Sequence, residues 1–188
     1  MKKAFTLLEV SVLFCIFIVI AFIVIPISID DTNQMKNIAD WKSFNAHFMN
    51  LFSGAKLDND LTQFEIIVRN SMSVKEEKVK PYKTHYLNRE KPESNLIFDD
   101  LYKINSGSII GFKWFKGKND SQYGFIMYDT NGKKLPNTWG KDIFGFSITK
   151  DQIMPLCQNE SLEIMRSDCS KFGRGVCCSY YYIIGGDF

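Results

Sequence analysis

The N-terminal quarter of the chain contains a continuous apolar stretch followed by a periodic one. Residues 10–29 are apolar apart from two serines and one proline, and as a helix they would extend over about 30 Å, the thickness of a bilayer core. After Asn33, apolar residues recur every three or four positions as far as Leu51, which is the period of an amphipathic helix. The pattern predicts one long helix, with its first half in a membrane and its second half packed on a globular domain.

The remaining pattern predicts a short helix and then antiparallel strands. Thr62 and Glu65 have the spacing of a helix-capping box, so a second helix is expected to end between Ser71 and Val74. Residues 75–91 are rich in Lys and Arg, which is typical of a solvated loop. From residue 108 onward, short runs of Ile, Phe and Tyr between turn residues predict strands at 108–115, 123–128 and 143–148.

Length and charge exclude some classes of function. A chain of 188 residues accommodates one long helix and one modest domain, but not a large multidomain enzyme. The formal net charge is only +2, so the molecule lacks the strong field of a dedicated nucleic-acid-binding protein. Aromatic residues interleave with the basic ones at 75–91, but Glu76, Glu77 and Glu90 weaken that field. We therefore expect no nucleic-acid partner.

The residues around the apolar stretch predict its orientation. Lys2 and Lys3 precede it, which favours a cytoplasmic N-terminus and an extracytoplasmic remainder. A cleaved secretory signal would have a shorter apolar core followed by small residues, and neither is present. Glu9 is unusual, because a carboxylate in lipid costs on the order of 1 to 3 kcal/mol. This cost indicates that Glu9 has a function.

The segment Lys-Ala-Phe-Thr-Leu-Leu-Glu-Val at residues 3–10 resembles the processing site of type IV prepilins and type II secretion pseudopilins. The resemblance implies that a prepilin peptidase removes residues 1–4 by cutting between Ala4 and Phe5, and that the new amino group is methylated. The family usually has Gly where this chain has Ala4. The resemblance also implies that Glu9 pairs with the Phe5 amine of a neighbouring subunit.

The same resemblance implies an α+β, pilin-like fold, in which a long N-terminal transmembrane and amphipathic helix packs on a small antiparallel β-sheet head. Residues 5–29 would be the hydrophobic assembly helix, and residues 30–188 the extracytoplasmic globular domain. The protein would cross the bacterial inner membrane once, before entering a type IV pilus or a type II secretion filament as a minor subunit. Its partners would be the membrane, the prepilin peptidase, other pilin-like subunits and the inner-membrane assembly platform. The alternative is a signal-anchored extracytoplasmic binding domain that does not polymerise.

A polar loop lies between the second and third predicted strands. Residues 129–144 contain an Asn-Gly turn, a Pro-Asn pair and a Gly-x-Asp sequence, and they resemble a loop that recurs in pilin-like and pseudopilin C-terminal domains. Side-chain oxygens of Asp129, Asn131, Asn137 and Asp142 could surround calcium. We favour a structural role, in which the Asn-Gly turn supplies positive backbone dihedrals and Asp142 accepts hydrogen bonds from loop amides. No metal or other cofactor is therefore expected.

Four of the five cysteines, Cys157, Cys169, Cys177 and Cys178, lie near the C-terminus, whereas Cys15 is in the apolar stretch. In an oxidising compartment they would form disulfides. A bond between the two adjacent cysteines would be strained, so we expect Cys157 and Cys169 each to pair with one of them, in an order that stays open. The spacing does not suit zinc, which usually requires cysteine pairs separated by two residues.

The sequence contains no recognisable catalytic motif. A nucleophilic cysteine would need a base, and the two histidines, His47 and His85, are not tied by any motif to Cys177. Phosphate-binding glycine loops and hydrolase signatures are missing. We therefore expect a structural protein rather than an enzyme.

Overall fold

The computed structural model describes residues 6–52, 61–117 and 122–187. The chain divides into two compact units, Met1–Lys36 and Asn37–Phe188. Helix α1 (Leu7–Phe52) begins in the first unit and ends in the second. In the first unit, every side chain from residue 6 to residue 20 is exposed. The described residues of this unit therefore do not bury the first turns of α1.

The structure corrects two predictions, the pilin-like fold with a transmembrane helix and the single-pass location in the inner membrane. Within the described part of the chain, no helix combines the length and the apolar character needed to cross a membrane. Both predictions are therefore wrong.

The second unit is built on a six-stranded antiparallel sheet whose strands pair in chain order. The strands are β1 (Val74–Lys78), β2 (Asp100–Ile104), β3 (Ile109–Lys116), β4 (Gln122–Asp129), β5 (Ile143–Thr149) and β6 (Ile153–Pro155). The further helices are α2 (Leu61–Ser71), α3 (Leu162–Asp168) and α4 (Cys178–Tyr181), with a 3-10 turn at Ser94–Leu96.

One face of the sheet is covered by the aromatic stripe of α1. Trp41, Phe44, Phe48 and Phe52 are spaced three or four residues apart and are buried, because this spacing places them on one side of a helix. Phe44 stacks on Tyr128 with ring centroids 3.7 Å apart. This stripe and the sheet residues beneath it form the larger core of the second unit.

The other face of the sheet carries a second core, which includes Phe98, Met127 and Trp139. It is covered by residues 79–93, which we call the strap. The strap was expected to be part of a solvated loop, but Tyr86 is only 2% exposed. The amide of His85 donates to the Asn137 carbonyl (3.0 Å), and the His85 carbonyl accepts from the Trp139 amide (2.9 Å). These backbone bonds hold the strap against the loop between β4 and β5.

Candidate functional site

Glu9 lies in the first turn of α1, where it completes a capping box with Thr6. Its Oε2 atom accepts hydrogen bonds from the Thr6 amide (2.8 Å) and the Thr6 hydroxyl (2.9 Å). The Glu9 amide in turn donates to Thr6 Oγ1 (3.3 Å). This reciprocal arrangement satisfies amide donors that the start of a helix leaves free. The carboxylate is thereby held at the N-terminal end of α1 and remains exposed to solvent.

The predicted processing residues Ala4 and Phe5 lie outside the described residues. Directly after them, α1 presents a dense set of large apolar side chains to solvent. The most exposed are Leu7 (91%), Phe22 (78%) and Leu8 (73%). Exposed side chains occupy consecutive positions, so they surround the helix instead of forming one stripe. Contiguous exposed apolar surface of this extent is uncommon in a protein on its own.

The loop between β4 and β5 is organised by Asp142, which is fully buried. Its carboxylate accepts hydrogen bonds from the amides of Asn137 (2.8 Å) and Thr138 (2.6 Å) and from Asn131 Nδ2 (3.1 Å). Burial raises the pKa of Asp142 to about 6, although the amides of Thr138 and Asn137 act in the opposite direction. One side chain thus joins both arms of the loop, which is the structural role expected from the sequence.

Asp129, at the end of β4, connects the same loop to the strap. It is fully buried, and its carboxylate accepts a hydrogen bond from the Tyr82 hydroxyl and another from the Asn131 amide (3.2 Å). Burial raises the pKa of Asp129 to about 8, and the nearby charge of Asp142 adds to the effect. Burial and the neighbouring Asp129 also raise the pKa of Tyr82. Nothing in the spacing of the sequence pointed to Tyr82 as the partner of Asp129.

The four calcium candidates are close together, but hydrogen bonds within the loop already use most of their oxygens. Asp129 and Asp142 accept protein donors as described above. In the orientation that satisfies both ends of its amide, Asn137 donates to the carbonyls of Gly132 (3.2 Å) and Lys134 (3.1 Å). Asn131 Oδ1 accepts no hydrogen bond. In the described part of the chain, no group of three or more His, Cys, Asp and Glu side chains is arranged to hold a metal.

The prediction that the chain contains disulfide bonds is confirmed. Cys157 pairs with Cys177, and Cys169 pairs with Cys178. Each of the adjacent cysteines therefore bonds to a more distant one, in the order that the sequence left open. Cys15 is a free thiol on the exposed part of α1.

The cross-linked C-terminal segment closes the main core. The indole Nε1 of Trp41 donates to the carbonyl of Ser179 (2.8 Å), and the Ser179 hydroxyl accepts from the Gly145 amide (3.1 Å). Ser179 therefore links α1 to β5 through α4. No pattern in the sequence indicated this role, because a serine beside a cysteine pair has no distinguishing signal.

The residues considered for catalysis are not brought together as a reactive site. His47 lies on the exposed side of α1. His85 takes part in the backbone bridge between the strap and the β4–β5 loop. The Cys177 sulfur is bonded to Cys157 and is therefore not a free nucleophile.

Comparisons with known protein families, with curated proteins and with solved structures found no match to this chain.

Proposed function

We propose that this chain is a structural subunit of a filament of the type IV pilus or type II secretion kind. The subunit would lose residues 1–4 to a prepilin peptidase and then polymerise with other subunits through the N-terminal half of α1. The prepilin-like segment at residues 3–10 supports the processing step. The exposed apolar half of α1 supports the assembly step.

The observation that carries the proposal is the distribution of apolar side chains around residues 7–23 of α1. Among them, Phe14, Phe17 and Phe22 are each more than two-thirds exposed, at 68%, 69% and 78%. Contiguous apolar surface of this extent marks an interaction site in a protein. Since the side chains point to all sides, a single flat partner would cover only part of them. A bundle of equivalent helices from several subunits would cover all of them.

Glu9 gives such a bundle a means of setting its register. Burying its carboxylate between helices without a cation would cost several kcal/mol. A free amine on Phe5 of a neighbouring subunit, created by the processing step, would supply that cation. The Thr6 capping box keeps the carboxylate beside the start of α1, where a neighbour's N-terminus would have to lie.

The second candidate is a binding domain that does not polymerise. Its support is the self-contained second unit, which has two hydrophobic cores and two disulfides. In this candidate, Glu9 would serve only as the helix cap that it forms with Thr6. The two functions therefore differ in their dependence on Glu9.

Mass spectrometry of the chain coexpressed with a prepilin peptidase tests the proposal. We expect the mature chain to begin at an N-methylated Phe5. We also expect Glu9→Gln to reduce incorporation into sheared filaments by at least about tenfold, because the interhelical ion pair is lost. Glu163→Gln removes another exposed carboxylate, far along the chain, and should leave incorporation unchanged. A chain that retains residues 1–4, or a Glu9→Gln variant that assembles normally, would contradict the proposal.

A further inference from the structure

The contact between the strap and the β4–β5 loop brings four exposed lysines into one region of the second unit. Lys80 and Lys83 lie on the strap, and Lys133 and Lys134 lie on the loop. Lys133 Nζ is 5.9 Å from the centre of the Tyr82 ring, and the Tyr82 hydroxyl is bonded to Asp129 at the base of the loop. Residues that are about 50 positions apart in the chain therefore form a single surface, which we call the basic patch.

No acidic residue lies in the two short segments that carry the basic patch, although Glu77 and Glu90 flank the strap segment in the sequence. Residues 79–86 and 131–138 contain no Asp or Glu. The nearest carboxylates of the loop, Asp129 and Asp142, are both 0% exposed and accept hydrogen bonds from within the protein. None of the ion pairs within the described part of the chain includes any of the four lysines. The patch therefore presents a net positive field to solvent, although the chain as a whole is nearly neutral.

An exposed apolar side chain follows the two lysines of the loop. Leu135 follows Lys134 directly and is 84% exposed, so it contributes almost nothing to the core. The next residue, Pro136, is also exposed. The loop around them is rigid, because Asp142 holds the amides of Asn137 and Thr138. Leu135 is thus exposed beside Lys134, on a loop whose backbone is held by Asp142.

We propose that the basic patch is a docking site for the surface of an anionic lipid bilayer. Lysines near such a surface are attracted by the negative headgroups, and an apolar side chain at the tip of a loop can enter the boundary between headgroups and acyl chains. Nucleic acid would account for the lysines but not for the protruding leucine, since phosphates offer it no apolar contact. This contact belongs to the second unit, does not involve a membrane-spanning segment, and does not depend on the filament proposal.

Vesicle binding by the full-length chain tests the docking site. The measured quantity is the ratio of affinities for vesicles with about 30% phosphatidylglycerol and for pure phosphatidylcholine vesicles. This ratio cancels the contribution of the exposed apolar half of α1, which has no preference between the two. We expect a ratio well above one at low salt that falls as salt is added. Changing Lys80, Lys83, Lys133 and Lys134 together to Gln should lower the ratio on the order of 10²-fold.

Matched control variants distinguish the effect of the basic patch from the effect of removing any exposed lysine or leucine. Replacement of Lys42, Lys116, Lys150 and Lys171 by Gln removes the same charge from exposed positions elsewhere and should lower the ratio far less. Leu135→Ser should weaken binding to anionic vesicles by roughly tenfold, whereas Leu162→Ser, at another exposed leucine, should not. All variants should keep the wild-type melting temperature, because the side chains are exposed.

Three results would overturn the proposal. The first is a ratio near one for the wild-type chain. The second is an equal loss in the patch variant and the control variant. The third is a patch variant that loses binding to duplex DNA while its vesicle ratio is unchanged, which would assign the lysines to nucleic acid.

Discussion

At the scale of single residues, Asp142 shows how one buried carboxylate can replace regular backbone pairing. It accepts hydrogen bonds from two amides and one side-chain amide of its own loop. Asp142→Ala would leave these donors buried without an acceptor. We expect the free energy of unfolding to fall by about 3 kcal/mol, measured by urea denaturation. Asp151→Ala, at an exposed turn position, should change it by less than about 0.5 kcal/mol.

Asp129 makes stability depend on pH. Its folded pKa of about 8 lies above the value of ~3.9 for an unfolded Asp, so the folded chain binds a proton that the unfolded chain has released. The resulting stabilisation is complete below about pH 4 and is lost as pH rises through about 8. Urea denaturation between about pH 6 and about pH 8 should therefore show decreasing stability, and Asp129→Asn should remove most of this slope. If the slope persists in Asp129→Asn, another titratable group causes the pH dependence of stability.

The expectation that this loop binds no calcium remains a prediction, and we expect the ion to have no structural role. Because hydrogen bonds within the protein already occupy most of the candidate oxygens, a cation would have to displace them. Addition of calcium at about 1 mM, or of a chelator, should leave the melting temperature unchanged. A calcium-dependent increase of several degrees would show that the loop rearranges to bind the ion.

The sequence indicated these residues only in part. The role of Asp142 as an acceptor for loop amides followed from the structural interpretation of the polar loop at residues 129–144. Its partners and the Tyr82–Asp129 bond did not, since they depend on where the strap crosses the sheet. Contacts of that kind join residues such as Tyr82 and Asp129, which lie 47 positions apart, and no local propensity encodes them.

At the scale of elements, the two disulfides close loops of different length. The Cys157–Cys177 bond spans 20 residues and the Cys169–Cys178 bond spans 9. In the chain-entropy view, removal of the first should cost about 3 kcal/mol and removal of the second about 2.5 kcal/mol. Paired Cys→Ser variants, compared by urea denaturation under oxidising conditions, measure the two costs. If both variants were as stable as the wild type, packing alone would hold this segment and the disulfides would add no stability.

Comparison of the predicted and observed strands shows which sequence patterns indicated structure correctly. The predicted strands at 108–115, 123–128 and 143–148 correspond to β3, β4 and β5, since these central strands are rich in β-branched and aromatic residues. Strand β1, Val-Lys-Glu-Glu-Lys, was assigned to a loop because it is charged throughout. Charge of this kind is common on an edge strand, where it discourages pairing with other chains. Strand β6 is only three residues long, too short for a periodic signal.

At the scale of the whole molecule, the apolar half of α1 and the second unit should respond separately to mutation. Replacing Phe14, Phe17 and Phe22 together by Gln removes large exposed rings from the first unit. We expect self-association of the full chain, measured by analytical ultracentrifugation, to weaken by more than about tenfold. The melting temperature should not change, because the second unit has its own cores. Phe172→Gln, at an equally exposed ring of the second unit, is the control and should leave association unchanged.

Consecutive strand order has a consequence for how the chain matures. Each strand pairs with the one before it in the chain, so the sheet can grow by short-range steps with little loop-closure entropy at each step. The Trp41–Ser179 bond is different, because it joins residues 138 positions apart. The aromatic stripe of α1 therefore acquires its last covering only when the C-terminal segment arrives. A nascent or truncated chain that lacks this segment would leave Trp41 accessible to chaperones and proteases, so formation of the Trp41–Ser179 bond marks the completion of this core.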